Sequence, residues 1–218
     1  MWTKICGIRD VATAVAVAQL RPQAIGLNFF DRSVRVVKPD VAAEIVRQLP
    51  PDVEPVGLFV NHTVEQIRGI CLHCGLRTIQ LHGDEPPELL ADLVEFQILR
   101  AFRVGESGLA DVELYLDRCR QLGRLPRACL ADAKVSGAYG GTGQVAPWKL
   151  LREGWRFDWP PLILAGGLNS TNVAEAIRTA NPWGVDVAGG VESAPGQKDL
   201  SMVQEFLRQT AGGDFSAV

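Results

Sequence analysis

Short apolar runs alternate with longer segments of helical spacing along the chain. The apolar runs are continuous rather than alternating, as in Ala24–Asn28, Leu162–Ala165 and Gly184–Val187. Parallel strands that are buried on both faces have this pattern. The segments between them, such as Val11–Leu20 and Leu109–Leu122, carry apolar residues at helical intervals. The hydrophobic pattern therefore predicts repeated strand–helix units around a parallel sheet.

The number of units decides between the two common folds of this kind. The predicted strands are Trp2–Cys6, Ala24–Asn28, Pro55–Val60, Arg77–Leu81, Gln97–Phe102, Arg127–Asp132, Leu162–Ala165 and Gly184–Val187. Eight units with short connections in 218 residues predict a single α/β domain, a closed (β/α)8 TIM barrel. The alternative is an open doubly wound sheet, which usually has fewer strands, and no dinucleotide fingerprint follows the first strand. We expect the barrel to span residues 1–211 and a tail at residues 212–218 to fray.

Composition and charge exclude several classes of function. Hydrophobic residues make up 47% of the chain, charged residues 22%, and the formal net charge is −3. These are values of a globular protein with no signature of nucleic-acid or anionic-membrane binding. No apolar run approaches the roughly 20 residues of a membrane span, and the N-terminus lacks the layout of a signal peptide. We therefore expect a cytoplasmic protein with neither a nucleic-acid nor a membrane partner.

The five cysteines are predicted to be free thiols, because an odd number in a chain without a signal peptide argues against a disulfide framework. Cys71 and Cys74 have the spacing of a redox or zinc motif. No second pair follows at a usable distance, and both residues fit a helical pattern. A packed helix without metal is the favoured interpretation. A thiol redox or zinc protein is the alternative, which stoichiometric zinc on purification would support.

In a (β/α)8 barrel the chemistry lies at the C-terminal ends of the strands. Those ends and the loops after them carry Cys6, Arg35, Asn61, His82, Asp132, Gly166-Gly167 and Ala188-Gly189-Gly190. The two glycine pairs follow strands seven and eight, where barrels often bind phosphate through backbone N–H groups. Glycine lets the backbone approach phosphate oxygens closely, so a phosphate site is predicted at Gly166, Gly167, Gly189 and Gly190. Gly141, within the glycine-rich stretch 140–143, is a candidate for a third backbone cradle or a lid.

Cys6 and Asp132 form a candidate acid–base pair. A thiolate can take a proton from carbon and a carboxylic acid can deliver one to oxygen, which suits an isomerisation that needs both. The thiol would need its pKa lowered by a cation such as Lys4 or by N–H groups of the following turn. The alternatives are a packed cysteine and an aspartate that caps a loop.

Three other polar residues are candidates for substrate binding. Arg35 lies in a polar loop, and its guanidinium fork suits a substrate carboxylate. His82 is a candidate orienting hydrogen-bond donor. Asp186 is a charge within an otherwise apolar strand, which indicates a buried partner or a ligand.

A set of motifs resembles one enzyme family over residues 4–199. The motifs are Lys4-Ile-Cys-Gly-Ile8, Gly57-Leu-Phe-Val-Asn61, Gln80-Leu-His-Gly-Asp-Glu85, Tyr139-Gly-Gly-Thr-Gly143, Ala165-Gly-Gly-Leu-Asn169, Val185-Asp-Val187, Gly190-Val-Glu192, Pro195-Gly196 and Lys198-Asp199. In this order and at this spacing they resemble the phosphoribosylanthranilate isomerases of tryptophan biosynthesis. No single motif would be specific, but the combination is.

The resemblance implies a (β/α)8 barrel that catalyses an Amadori rearrangement without metal or cofactor. The substrate would be N-(5-phosphoribosyl)anthranilate and the product 1-(2-carboxyphenylamino)-1-deoxyribulose 5-phosphate. The resemblance also implies that Cys6 is the general base, Asp132 the general acid and Arg35 the ligand of the anthranilate carboxylate. Where the family often has two serines after strand eight, this chain has Ala188-Gly189, which removes two possible hydroxyl donors to phosphate. The family includes monomers and homodimers, and both remain open.

Two other functions are alternatives. One is another phosphosugar isomerase built on a barrel, such as that of histidine biosynthesis, but its paired-aspartate mechanism has an acid where this chain has Cys6. The other is a non-catalytic barrel that binds a phosphosugar. The presence of both Cys6 and Asp132 argues against it.

Overall fold

Eight parallel strands close into a barrel in the order of the sequence. The computed structural model describes residues 1–105, 108–133 and 147–211. The strands are β1 (Trp2–Cys6), β2 (Ala24–Asn28), β3 (Glu54–Phe59), β4 (Thr78–Leu81), β5 (Gln97–Val104), β6 (Ala128–Ala133), β7 (Leu162–Leu164) and β8 (Gly184–Val187). Strands β1 and β8 pair in parallel and close the ring, with Lys4 opposite Asp186. The predicted (β/α)8 barrel is confirmed.

The helices surround the strands. They are α1 (Val11–Gln19), α2 (Pro39–Gln48), α3 (Val64–Cys74), α4 (Pro87–Asp92), α5 (Ala110–Gln121), α6 (Trp148–Gly154), α7 (Val173–Ala180) and α8 (Leu200–Ala211). Local signals in the sequence fix where several of them begin. The Asp10 carboxylate accepts the Thr13 N–H at 2.8 Å, and Thr63 and Gln66 form a reciprocal capping box. These early helix starts keep the loops that follow β1 and β3 short.

The barrel interior is filled at its N-terminal end. Side chains alternate between the two faces of a strand, and the inward-facing apolar ones form one cluster of Trp2, Ala24, Val56, Leu99, Ala101, Ala128, Leu130, Ile163 and Ala165. A larger apolar layer lies between the strands and the helices. Because the lower interior is filled, a pocket is left above it, and the inward-facing Gln80 is one of the residues that line this pocket.

A small hairpin after β8 is not predicted by the hydrophobic pattern. A single 3-10 turn (Gly189–Val191) leads into β9 (Glu192–Ala194), which pairs antiparallel with β10 (Gln197–Lys198). This hairpin directs Glu192 and Lys198 back toward the C-terminal end of the barrel, where both contact the wall of the pocket described below.

Two expectations fall partly or wholly outside the described residues. Helix α8 ends at Ala211, and the tail predicted to fray, residues 212–218, lies beyond the described part of the chain, as does the candidate Gly141. Of the helices within the described ranges, none has the length and apolarity needed to cross a bilayer.

Candidate active site

A cavity of about 660 Å³ opens at the C-terminal ends of the strands. Ten residues are predicted to transfer protons or to bind the substrate or its phosphate, and nine of them line the cavity: Cys6, Arg35, His82, Asp132, Gly166, Gly167, Asp186, Gly189 and Gly190. The tenth, Gly141, lies outside the described residues. Asn28, Phe30, Arg32, Ser33, Leu58, Val60 and Gln80 complete much of the remaining wall. The barrel thus gathers candidate residues that are up to 184 positions apart, from Cys6 to Gly190, into one pocket.

Asn61 is the one strand-end candidate that does not face the cavity. Its backbone N–H donates to Glu85 at 2.7 Å, and its side-chain oxygen accepts the Asp84 N–H at 2.7 Å. Glu85 also binds Arg100 at 2.9 Å in a buried ion pair. Asn61 therefore joins the loops after β3 and β4 rather than contributing to the pocket.

The Cys6 thiol lies where β1 ends, and its side chain is buried beside Leu58 and Val60. Its neighbour on β2 is Gly26. A Cβ atom at Gly26 would lie 2.6 Å from Cys6 Sγ, so glycine is needed here to leave room for the thiol. The packing holds Sγ in one place at the edge of the cavity.

Burial and charge act in opposite directions on this thiol. Burial raises the pKa of Cys6 above its ordinary value, and the ammonium groups of Lys4 and Lys198 only partly oppose this rise. Lys4 is itself engaged by Asp186, with 2.7 Å between Nζ and Oδ1. Lys4 and Lys198 thus act in the direction that a basic Cys6 requires, but burial has the larger effect on the thiol pKa.

The backbone after Cys6 does not support a thiolate either. The N–H groups of Gly7 and Ile8 both donate to the Gly26 carbonyl, at 2.9 and 3.0 Å. They are therefore unavailable as the anion-stabilising donors that the sequence suggested.

Asp132 lies at the end of β6, close to His82 at the end of β4. His82 Nε2 is 3.4 Å from Asp132 Oδ2, a close approach rather than a well-formed hydrogen bond. The other ring nitrogen, Nδ1, lies 2.7 Å from the side-chain amide nitrogen of Gln80. When Nδ1 accepts from that amide, the ring proton resides on Nε2 and faces Asp132. Gln80 thus helps to orient the imidazole.

Arg35 is held at the wall of the cavity by a carboxylate of the protein. Its Nε and Nη2 atoms lie 2.8 and 2.7 Å from the two carboxylate oxygens of Glu192. The loop that carries Arg35 is itself fixed, because Ser33 Oγ accepts the Arg35 N–H at 3.1 Å and an Asn28 amide proton at 3.0 Å. Lys198 Nζ approaches Glu192 to 2.5 Å from another direction.

Glu192 is ionised by this pairing. Burial alone would raise the pKa of its carboxyl, but hydrogen bonds from Arg35 and Lys198 outweigh burial and lower the pKa to about 2. Neither Glu192 nor Lys198 is identified as a site residue by the sequence, although both stand in motifs of the resemblance. For Gln80 a direct signal existed, since a polar residue within an apolar strand indicates a buried partner, as it did for Asp186.

The loops after β7 and β8 lie side by side in the wall of the cavity. Gly166 and Gly167 have φ values of 78° and 64°, a region that favours glycine. A Cβ atom at Gly190 would lie 1.8 Å from the Leu168 carbonyl oxygen, so only glycine permits the two loops to approach. The wall there presents backbone rather than hydroxyl side chains, as the Ala188-Gly189 departure from the family pattern implies.

Cys71 and Cys74 are buried in helix α3 within the main core, as the helical interpretation predicts. Burial raises the pKa of Cys71 to about 12 and that of Cys74 to about 11, which keeps both as thiols. In the described part of the chain, no group of three or more His, Cys, Asp or Glu residues is arranged to hold a metal ion.

The fold and the pocket define a class: a (β/α)8 barrel that carries a thiol, a carboxyl group and two glycine-rich loops at the catalytic end of its strands. The sequence profile of the family described as N-(5′-phosphoribosyl)anthranilate (PRA) isomerase matches residues 3–209. The chain belongs to this family of isomerases.

Individual relatives agree with the family assignment. The N-(5′-phosphoribosyl)anthranilate isomerase of Geobacter sulfurreducens is 43% identical over 210 residues, which cover 96% of this chain and 98% of that protein. The crystal structure of phosphoribosyl anthranilate isomerase from Thermotoga maritima has a TM-score of 0.83 at 34% identity, covering 96% of this chain and 98% of that one. A further structure of such an isomerase, in complex with reduced 1-(o-carboxyphenylamino)-1-deoxyribulose 5-phosphate, has a TM-score of 0.81 at 32% identity, with 96% and 98% covered.

Proposed function

We propose that this chain isomerises N-(5′-phosphoribosyl)anthranilate, a step of tryptophan biosynthesis, with Cys6 as general base and Asp132 as general acid. The activity is that of the family and of the relatives described above. The assignment of roles is supported chiefly by one observation: Cys6 and Asp132 line the same cavity as Arg35 and the two glycine loops.

The cavity has complementary chemistry for the three parts of this substrate. The glycine loops after β7 and β8 offer backbone N–H groups to the phosphate. Arg35 offers a guanidinium to the anthranilate carboxylate. Cys6 and Asp132, near the C-terminal ends of β1 and β6, line the same cavity and would carry out the proton transfers.

The proposed reaction needs two proton transfers. Asp132 protonates the furanose ring oxygen, the bond from that oxygen to C1′ breaks, and a protonated Schiff base forms. Cys6 then removes the proton on C2′ to give an enolamine, which tautomerises to the ketone. The substrate's imine accepts the electron pair, so the scheme uses neither a metal nor an organic cofactor. His82, oriented by Gln80, lies close to the Asp132 carboxyl, with 3.4 Å between Nε2 and Oδ2.

The raised pKa of Cys6 fits this order of events. Burial raises the pKa of the thiol and so favours its protonated form. Ring opening creates a cationic Schiff base beside it, and a nearby positive charge favours the thiolate. Together with Lys4 and Lys198, the substrate itself would supply the charge that makes Cys6 a base.

The test is fluorescence-monitored consumption of N-(5′-phosphoribosyl)anthranilate by the purified protein. We expect turnover by the wild type and a loss of about 10²- to 10⁴-fold in kcat for Cys6→Ser and Asp132→Asn, as is usual when a proton-transfer group is removed. Cys74→Ala and Asp117→Asn, which change the same residue types away from the cavity, are the matched controls and should retain activity. No turnover by the wild type would refute the function, and near-wild-type kcat in either active-site variant would refute its role.

The oligomeric state stays a prediction of monomer or homodimer. One neighbour is a structure of monomers generated from the dimeric phosphoribosylanthranilate isomerase of Thermotoga maritima, at 32% identity and a TM-score of 0.77. Sedimentation of the purified chain would decide between the two states.

A further inference from the structure

Three charged side chains from different elements are in contact at Arg35, the candidate ligand of the substrate carboxylate. Arg35 comes from the loop after β2, Glu192 from the start of β9 and Lys198 from the end of β10. Glu192 receives both hydrogen bonds of the Arg35 fork and a third from Lys198. The side chains of Glu192 and Lys198 are only 3% and 1% exposed, whereas that of Arg35 is 16% exposed. Arg35 is therefore the member of the trio that a ligand can reach.

The net charge of Arg35, Glu192 and Lys198 together determines how strongly they attract a substrate carboxylate. Arg35 and Glu192 alone would form a neutral pair with little attraction for a substrate carboxylate. Burial lowers the pKa of Lys198, but its hydrogen bond to the ionised Glu192 at 2.5 Å favours the ammonium form. Lys198 therefore adds a second positive charge, and the trio carries one net positive charge. Glu192 contributes one negative charge to this sum, because its carboxyl has a pKa of about 2 and is ionised.

Arg35 still has donors to offer when Glu192 is bound. A guanidinium carries five N–H donors, and Glu192 engages only the Nε and Nη2 atoms. The Nη1 side of the fork is left for a second carboxylate, and the bond to Glu192 fixes its direction.

We propose that Lys198 is a positioning residue for the substrate carboxylate: by binding Glu192 from behind, it leaves Arg35 with an uncompensated positive charge in a fixed orientation. This inference rests on the function proposed above and names the residue that makes its carboxylate subsite effective. Lys198 itself does not touch the substrate.

A purely architectural role for Lys198 makes a different prediction. Lys198 Nζ also donates to the Ala188 carbonyl at 3.0 Å, which ties the hairpin to the loop after β8. If that were its whole role, losing Lys198 would weaken every ligand of the pocket. If it acts through charge, the loss falls on ligands that carry the carboxylate.

Isothermal titration calorimetry with two ligands separates these roles. The first ligand is reduced 1-(2-carboxyphenylamino)-1-deoxyribulose 5-phosphate, and the second is the same molecule without the carboxylate, the reduced phenylamino compound. For Lys198→Met we expect about tenfold or more weakening for the carboxylated ligand. The ligand without the carboxylate should change by less than about threefold, and Lys38→Met, at an exposed lysine, should leave both affinities unchanged.

The double variant Lys198→Met/Glu192→Gln restores the charge count, because it removes one charge of each sign and leaves no buried ion unpaired. It should recover most of the preference for the carboxylated ligand. It is also the variant to use if Lys198→Met alone does not fold. Equal losses for the two ligands, or no recovered preference in the double variant, would overturn the proposal.

Failure of this inference is distinguishable from failure of the proposed function. A wild-type protein that neither turns over the substrate nor prefers the carboxylated ligand would remove the function itself. A wild type that does both, with Lys198→Met keeping the same preference, would remove only the role of Lys198.

Discussion

At the scale of single residues, the thiol of Cys6 gains its chemistry from groups that reach it only in the folded barrel. Burial raises the pKa of the thiol, and the opposing cations are themselves bound by Asp186 and Glu192. Burial therefore favours the neutral thiol at this position. A neutral thiol is also less reactive toward oxidants and electrophiles than a thiolate, so burial protects Cys6 from both.

The depressed pKa of Glu192 predicts an acid-dependent loss of stability. An unfolded glutamate has a pKa near 4.3, whereas that of native Glu192 is about 2. Its contribution to the free energy of unfolding is therefore complete above about pH 4.5, and it is lost as the pH falls toward about 2. Urea unfolding followed at a series of pH values should show this slope.

The control for that prediction is Glu192→Gln, which cannot titrate at this position. Its unfolding free energy should vary less steeply than that of the wild type between pH 4.5 and 2. If the unfolding free energies of the two proteins depend equally on pH, Glu192 does not contribute to the acid-dependent loss of stability. The comparison also removes the contribution of surface carboxylates, which both proteins share.

Single residues show where sequence reasoning stops. Asp186 was recognised as a charge in an apolar strand, and its partner is Lys4, which the pairing of β1 with β8 places opposite it. Glu192 and Lys198 lie in polar stretches where a charge is ordinary, so nothing local marks them as buried. Their role depends on the contact between Glu192 and Arg35, which are 157 positions apart in the sequence. A local sequence pattern cannot predict a contact over that separation.

At the scale of elements, the loops after β7 and β8 depend on one close approach of backbone to backbone. We expect Gly190→Ala to disrupt it, because the new Cβ would lie 1.8 Å from the Leu168 carbonyl oxygen and backbone must move. The inhibition constant of inorganic phosphate, measured in competition with the substrate, should rise about tenfold or more. The Tm should fall by several degrees.

Gly69→Ala is the matched control for this change. Gly69 lies within α3, and a Cβ there meets nothing within 4 Å, so the substitution should stabilise the helix by about 0.5–1 kcal/mol. Phosphate competition should be unaffected. If phosphate competes equally well with Gly190→Ala, this close approach does not shape the phosphate site predicted at these loops.

The mainly apolar strands of the barrel are predictable from the sequence, whereas the polar hairpin after β8 is not. Strands β1, β2 and β8 begin and end at the predicted residues, because continuous apolar runs have clear limits. The β9–β10 hairpin has strands of three and two residues, which include the exposed Ser193 and Gln197 and contain no apolar run. Its position comes from contacts with the barrel rather than from its own sequence.

At the scale of the whole molecule, counting eight strand–helix units was sufficient to predict a closed barrel, but not what joins its first strand to its last. The buried ion pair between Lys4 and Asp186 lies at that seam. We expect Lys4→Met to lower the free energy of unfolding by about 3–5 kcal/mol, because it leaves a buried carboxylate without its partner.

The double variant Lys4→Met/Asp186→Leu tests whether the seam needs charge or only packing. Apolar replacement of a buried pair is often close to neutral, so the double variant should unfold at a higher urea concentration than Lys4→Met alone. If Asp186→Leu lowers the free energy of unfolding further, the ion pair stabilises the pairing of β1 with β8 more than an apolar contact of similar size would.

The pairing of β1 with β8 also determines when the site can form during synthesis, because both strands must be present. Lys4 and Asp186 are 182 positions apart, so the strand that carries Cys6 leaves the ribosome long before its neighbour on one side exists. Until then β1 has an unpaired edge, which is a template for aggregation. Truncated products would carry the thiol without Asp186, Glu192 or Lys198, and they should be inactive and in need of chaperones. The enzyme therefore acquires its activity only when almost the whole chain has been made.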